Sequence, residues 1–325
     1  MSDPLPEPVV VAPSDSPLRA GLKRLTQDPL AITGLVFLVL LTLLCVFGPA
    51  FSHYSPSQQN LDNARRAPSK EHWMGTDSLG RDVATRVLVG GRVSLLVGVV
   101  ATGVAVTIGV LYGLVAGLVA GRTDAFMMRV VDILYAFPFM NFVILLTAVL
   151  SKHPALKALD DNMRAGLSKI PWLGKVSDDI GFNASFLVLF GAIGAVEWLT
   201  MSRVVRGQVL SLKNQEFVTA ARSYGAGTGR ILFQHLLPNV MGVVVVYASL
   251  TVPGVMLLEG TLSFLGLGIQ PPAASWGVLI SDGSQQIDTA WWLLIFPGAF
   301  FSATLLALNF LGDGLRDVFD PKSVR

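Results

Sequence analysis

Long apolar runs separated by short polar stretches dominate the chain. Six of them approach or exceed the about 20 residues needed to cross a hydrocarbon core: residues 30–51, 93–120, 126–150, 184–201, 239–262 and 290–311. An even number of crossings puts both ends of the chain on one side of the membrane. Between the fourth and fifth runs lies the only long amphipathic, basic segment, residues 203–238. Within it Phe217, Ala220, Ala221 and Tyr224 recur at helical spacing, with Arg222 on another face. Gly225, Gly227 and Gly229 are expected to break that helix, and a second short one, 231–237, to end at Pro238. A helix held outside the membrane between two spans presents a surface to a partner.

The polar stretches divide the chain further. Residues 1–28 form a Pro-, Ser- and acid-rich tail followed by an amphipathic segment at 18–27, in which Arg19, Lys23 and Arg24 alternate with Leu18, Leu22 and Leu25. No secretory signal is expected there. Residues 29–92 hold the first span and an external loop, 93–311 the remaining core with an insert at 151–183, and 312–325 a polar tail. In the loop, HWMGTDSLGRD (72–82) predicts a turn, with Thr76 or Asp77 capping a helix that starts near Ser78, and Trp73 as an interface anchor. In the insert, Leu156, Leu159, Met163, Leu167 and Ile170 share one helical face between Pro154 and Pro171. The glycines and prolines of 263–277 predict a compact turn ahead of Trp276.

Composition agrees with the pattern. Hydrophobic residues make up 52% and charged residues 14% of 325, and the mean hydropathy is +0.59. Soluble domains carry about 25% charge, so the chain is read as an all-α integral membrane protein. A net charge of +2 with scattered basic residues excludes a nucleic-acid surface. The single cysteine, Cys45, has no partner for an internal disulfide and reads as a small packing residue. Arg19, Lys23 and Arg24 flank the first span, which places both termini and the 203–238 segment in the cytoplasm.

Inside the runs, Gly109, Gly113, Gly117 and Gly121 form a stripe with a four-residue period, suited to close helix packing within the chain, between subunits or along a sliding surface. Pro138, Pro253 and Pro297 interrupt the third, fifth and sixth runs. Asp132, Glu197 and Glu259 are the acids in or near spans, expected as gating or anchoring positions, with Arg129 able to neighbour Asp132 on one helix.

No catalytic, cofactor or metal site emerges. GAGTGR at 225–230 lacks the Lys-Ser/Thr ending of a nucleotide loop. The four histidines, His53, His72, His153 and His235, have no metal-binding spacing, and no GxSxG motif is present. Uphill transport would then need an ion gradient or a separate ATPase. A helix pair at 203–238 suits the ATPase. Ion-coupled transport lacks mid-membrane acid pairs and paired repeats in its favour, and a membrane scaffold would leave the helix pair unexplained.

The run EFVTAARSYGAGTGRILFQHLLP, residues 216–238, resembles the cytoplasmic loop of permease subunits of binding-protein-dependent ABC importers. That family has a Glu-Ala-Ala triplet followed by Gly and later by Leu-Pro. Here the triplet is Thr219-Ala220-Ala221, the glycine Gly225 and the pair Leu237-Pro238. Thr219 stands where the family has Glu, and Glu216 lies a turn earlier. HWMGTDSLGRDVATRVLVGGRVSLLVG (72–98), RVVDILYAFP (129–138), VVRGQVLSL (204–212), LSFLGLGIQPPAASWG (262–277) and NFLGDGLRDVFDP (309–321) narrow the resemblance to C-type subunits of the dipeptide/oligopeptide/nickel group, over residues 18–321.

The resemblance implies a MetI-like permease fold of six transmembrane helices, in a bacterial or archaeal cytoplasmic membrane. It implies a homologous B-type permease, two cytoplasmic ATPases (identical or a pair) that bind ATP and Mg²⁺, and an extracytoplasmic substrate-binding protein. The chain itself would bind no cofactor and catalyse nothing. Glu216, Phe217, Thr219, Ala220, Ala221, Arg222 and Gly225 would form the ATPase-coupling helix, joined to the fifth span through Leu237 and Pro238. Dipeptides or oligopeptides are the leading cargo, and nickel or a nickel chelate the alternative.

Overall fold

The computed structural model describes residues 25–150, 154–167, 169, 174, 177–178, 180, 184–270 and 273–319. The expected tail 1–17, most of the amphipathic segment 18–27, and residues 320–325 lie outside them. Helix α1 (Pro29–Phe51) starts where Asp28 accepts the Leu30 and Ala31 amides at 2.9 and 3.3 Å, with Pro29 in the first turn, which needs no amide donor. A 3₁₀ turn at Leu61–Asn63 leads to α2 (Val83–Val119), 37 residues and hence about 55 Å long. It exceeds a hydrocarbon core of about 30 Å because its first turns belong to the polar cap formed by residues 61–82.

That cap corrects one expectation. The helix starts at Val83, with Asp82 as its N-cap accepting the Thr85 amide at 2.8 Å, and not near Ser78. Asp77 instead closes a turn, accepting the Leu79 and Arg81 amides at 2.9 Å each. Gly80 is left-handed (φ 69°), and a side chain there would stand 1.7 Å from the Asn60 carbonyl oxygen. The chain cannot turn helical until it has passed this point. Asp77 also accepts from Arg81 at 2.7 Å and from Arg86 at 2.5 Å, and His72 pairs with Asp82 at 2.9 Å. Trp73 is exposed.

After α2, two left-handed residues, Ala120 (φ 56°) and Gly121 (φ 64°), reverse the chain into α3 (Gly121–Ala136). Phe137 is extended ahead of Pro138, and α4 (Phe139–Leu150) follows. The apolar run 126–150 is thus two helices, because Pro138 lacks an amide donor and pushes its predecessor out of the helical region. Next come α5 (Pro154–Leu167), α6 (Ala184–Leu212), α7 (Glu216–Ser223), α8 (Leu237–Phe264), α9 (Trp276–Ser284) and α10 (Trp292–Phe319). Pro154 opens α5 as expected; Ile170 and Pro171 are outside the described residues. Pro253 and Pro297 lie within continuous helices. Among the described residues five helices are long and apolar enough to cross a membrane: α1, α2, α6, α8 with its preceding turns, and α10.

The pairing of α2 with α6 forms the spine. A Cβ at Gly109 would stand 2.6 Å from Met201 Cβ, at Gly113 2.5 Å from the Ser202 carbonyl, and at Gly117 2.7 Å from Val209 Cβ. Gly194 of α6 answers this, lying where a Cβ would meet the Ala101 carbonyl at 2.8 Å. Gly121 departs from the expected stripe: nothing lies within 4 Å of its Cβ position, and it serves the left-handed turn. Around the spine, Val93, Val97 and Ala101 of α2 pack with Phe190 and Ile193 of α6 and Val255 of α8. Near the cap, Cys45 of α1, Trp276 of α9 and Trp292 and Phe301 of α10 form a second cluster. Trp276 is fully buried, its indole donating to the Val87 carbonyl at 2.9 Å. Leu40, Leu44 and Phe47 of α1 face outward, which suits lipid or a neighbouring subunit.

A bulky residue in the seam must separate the helices. Gly113→Ile should lower the thermal stability of the detergent-purified protein by about 1–3 kcal/mol or more, whereas Gly103→Ile, with nothing within 4 Å, should leave it close to wild type. The cap makes a pH prediction. Burial tends to raise the Asp77 pKa, but Arg86 and Arg81 hold it below the ordinary value. Its contribution is therefore complete above the unfolded pKa, about 3.9, and is lost as pH falls through the lower folded value. Asp77→Ala strands the buried Arg86 and should cost about 3–5 kcal/mol at neutral pH. It should also flatten the acid limb of a melting-temperature profile.

Candidate functional site

The segment that leaves the apolar bundle between α6 and α8 is built around one buried residue. Val218 of α7 is completely enclosed, among Val209 of α6 and Ile231, Leu232 and Leu236 of the following turn. With that face fixed, Glu216, Phe217, Thr219, Ala220 and Arg222 are exposed and Ala221 is half-buried. Tyr224, next to α7, is 92% exposed, and Phe233 of the following turn 54%. Thr219 spends its hydroxyl on the Gln215 carbonyl at 3.3 Å, one turn back on its own helix. Lys213, at the α6–α7 corner, reaches the Gly117 carbonyl at 3.1 Å and ties that corner to the end of α2.

Gly225 ends α7 in the left-handed region (φ 80°). Its amide bonds to the Arg222 carbonyl at 2.9 Å and the Ala226 amide to Ala221 at 3.0 Å, the paired pattern of a Schellman cap. Gly227 then opens a new helical turn, Thr228–Arg230, with Gly229 inside it. Here a second expectation is corrected. The short helix does not stop at Pro238 but runs on through a π-helical turn, Ile231–Leu236, into α8. The Leu237 amide bonds five residues back, to Leu232, at the turn where Pro238 removes a donor. Widening the backbone there gives the proline ring room without ending the helix. Leu237 packs against the inner cluster, while Pro238 is exposed.

Polar ties join α3 to α6 just above this segment. Asp124 takes both Nε and Nη2 of Arg206, at 2.5 and 2.6 Å. Asp132 accepts from Arg203 at 2.8 Å, the Arg203 guanidinium lies 4.2 Å from the centre of the Tyr135 ring, and the Tyr135 hydroxyl meets that of Thr200. Asp132 is thus bound across to α6, while Arg129, expected beside it, points to the surface. A cavity of about 400 Å³ opens between the α3–α4 junction and α6. Leu134, Tyr135, Phe137 and Phe142 line one side, and Val196, Glu197, Leu199 and Thr200 the other. Glu197 is half-buried.

Residues 109–325 match the family model described as binding-protein-dependent transport system inner membrane component, and residues 16–68 match the N-terminal TM domain of oligopeptide transport permease C. The chain is 46% identical over 302 residues to the oligopeptide transport system permease protein OppC of Escherichia coli K12, covering 92% of this chain and 89% of the relative. It is 43% identical to OppC of Bacillus subtilis, over 93% of this chain and 88% of the relative. The dipeptide transport system permease protein DppC of the same organism is also 43% identical, over 96% and 88%. The chain belongs to the family of binding-protein-dependent transport system inner membrane components.

This member of the permease family has a further buried acid, on α8. Glu259 of α8 is fully enclosed, and one carboxylate oxygen accepts from Ser263 at 2.6 Å and Ser275 at 2.7 Å. Ser275 is also the N-cap of α9, accepting the Val278 amide at 3.3 Å. Glu259 thus anchors the turn between α8 and α9. Sequence reasoning missed Asp124, Tyr135, Arg203, Arg206 and Thr200 as a connected set. The three-residue step from Arg203 to Arg206 was visible, but only the fold reveals that α3 is their partner.

The two ion pairs should differ in strength. Arg203 and Asp132 are 44% and 54% exposed, Arg206 and Asp124 31% and 10%. Double-mutant cycles to alanine, read by thermal denaturation of the purified protein, should give a coupling of about 0–1 kcal/mol for Arg203–Asp132. The bidentate Arg206–Asp124 pair should give a larger one.

Proposed function

We propose that this chain is the C-type permease subunit of an ATP-driven peptide importer, forming half of the translocation path beside a homologous B-type permease. The observation that supports this reading most directly is α7: a short helix, fixed by one buried valine, that presents an open aromatic and basic face and is joined at both ends to membrane-spanning helices. Such an element suits docking on a separate ATPase. The names of the relatives favour oligopeptides or dipeptides over nickel as cargo. On this reading α3 and α4 together make the sixth crossing, both termini and α7 lie in the cytoplasm, and the cap with α9 faces the substrate-binding protein. ATP and Mg²⁺ are bound by the two ATPases, and this chain transmits their motion.

The proposed transmission follows contacts already described. A shift of α7 bears on α8 through Val218 and the π-helical turn, and on α6 through the Lys213 corner. The ties from Arg203 and Arg206 carry α6's movement to α3, and so to the walls of the cavity. An acid at the Thr219 position is not needed in this arrangement, since Val218 and the Schellman cap hold α7 in place.

Purification of the assembled transporter through this chain tests the reading. The wild type should retain one homologous permease and two ATPase subunits. Phe217→Ala and Arg222→Glu should each weaken ATPase retention about tenfold or more, as expected for exposed docking residues, while leaving the isolated subunit's melting temperature unchanged. Full retention by both variants would overturn the docking role of α7.

A further inference from the structure

The cavity between the α3–α4 junction and α6 is lined by one acid, Glu197. Glu197 lies six residues before Arg203, about 9 Å along the helix toward the membrane interior. Among the described residues no cation and no hydrogen-bond donor reaches its carboxylate. The nearby polar groups are occupied: Arg203 by Asp132 and the Tyr135 ring, and the Thr200 hydroxyl by that of Tyr135. The remaining lining, Leu134, Phe137, Phe142, Ala195, Val196 and Leu199, is apolar. An unpaired carboxylate facing a largely apolar cavity inside a span is costly, a cost that a cationic ligand would offset. At about 400 Å³ the space falls within the size range of small-ligand sites.

The chemistry that fits is an ammonium group attached to a body of variable, partly apolar surface. A peptide meets this description at its N-terminus whatever its sequence. Aromatic walls tolerate different side chains, and the single acid selects the one feature all such peptides share. We infer that Glu197 receives the N-terminal ammonium group of the transported peptide, an inference that rests on the peptide-importer reading. Thr200 and Tyr135 position the site's rim, and because both belong to the α3–α6 ties, the cavity changes shape when those helices shift.

The test uses the complete transporter, with both permeases, the ATPases and the binding protein, in proteoliposomes supplied with ATP. One peptide is offered with a free and with an acetylated N-terminus, each at a concentration measured to saturate the binding protein. Wild type should import the free peptide about tenfold faster, the effect expected of a charge-assisted hydrogen bond. Glu197→Gln should bring the free peptide down to the acetylated rate without altering that rate, and Glu197→Asp should recover part of the difference. Equal wild-type rates for the two peptides would overturn the inference, as would a Glu197→Gln variant that leaves both rates unchanged. Equal slowing of both, or loss of the B-type permease from the variant complex, would assign Glu197 to a contact with that subunit instead. Import of neither peptide by an assembled wild-type complex would remove the peptide-importer reading itself, and the inference with it.

Discussion

The close approach of α2 and α6 is the constraint on which the other helices depend. Gly109, Gly113 and Gly117 let the α6 backbone and the β-branched Val205 and Val209 sit where side chains of α2 would otherwise stand. Gly194 does the reverse from α6. In lipid no hydrophobic drive separates helix from solvent, so such contact surfaces are selected by packing. Once the two helices are fixed, α6 delivers Arg203 and Arg206 to one side and Val209 and Leu212 to its end, where α7 folds back. The inner cluster around Val218 is therefore a continuation of the spine, and the proposed docking surface inherits its rigidity.

Rigidity alone would not make a transmitting element. The chain breaks at three places around the proposed path: the left-handed pair Ala120–Gly121, the Phe137–Pro138 junction, and Gly225. Each break has a local cause in glycine conformation or in the absence of a proline amide. Between the first two, α3 is a short bar that meets α6 through an apolar cluster, Val131 and Met128 against Trp198 and Leu199, and through polar ties. Its Asp124 and Asp132 contacts are charged and geometrically specific, a kind of tie that holds one arrangement without the broad interdigitation of the α2–α6 seam. The π-helical turn before Pro238 has the opposite effect, keeping α8 continuous with the segment that contacts α7.

At the other end, buried polar groups order the loops. Asp77 gathers Arg81 and Arg86, Asp82 pairs with His72 while capping α2, and Glu259 joins α8 to the N-cap of α9. Trp276 and Trp292 seal the cap by donating to the backbone carbonyls of Val87 and Thr76.

Several features follow from the sequence alone because their causes are local. Apolar run length locates the long helices, Pro29 and Pro154 mark helix starts, Gly225 ends α7, and the period of Gly109, Gly113 and Gly117 announces a seam. The motifs at 216–238 and 262–277 were also enough to suggest the family that the comparisons establish. Other features depend on partners distant in the chain. The start of α2 moved to Val83 because Asn60 and Arg86 engage the turn around Asp77, which a capping pattern cannot foresee. Asp132 passes over nearby Arg129 for Arg203, 71 positions away, because the helix pairing decides which charges meet. Gly121 leaves the stripe because α2 ends at Val119, two residues before it, and the helix at 231–237 continues because a wider turn accommodates Pro238. Local stereochemistry can be read from neighbours along the chain, whereas a contact across the bundle exists only once packing has brought its two halves together.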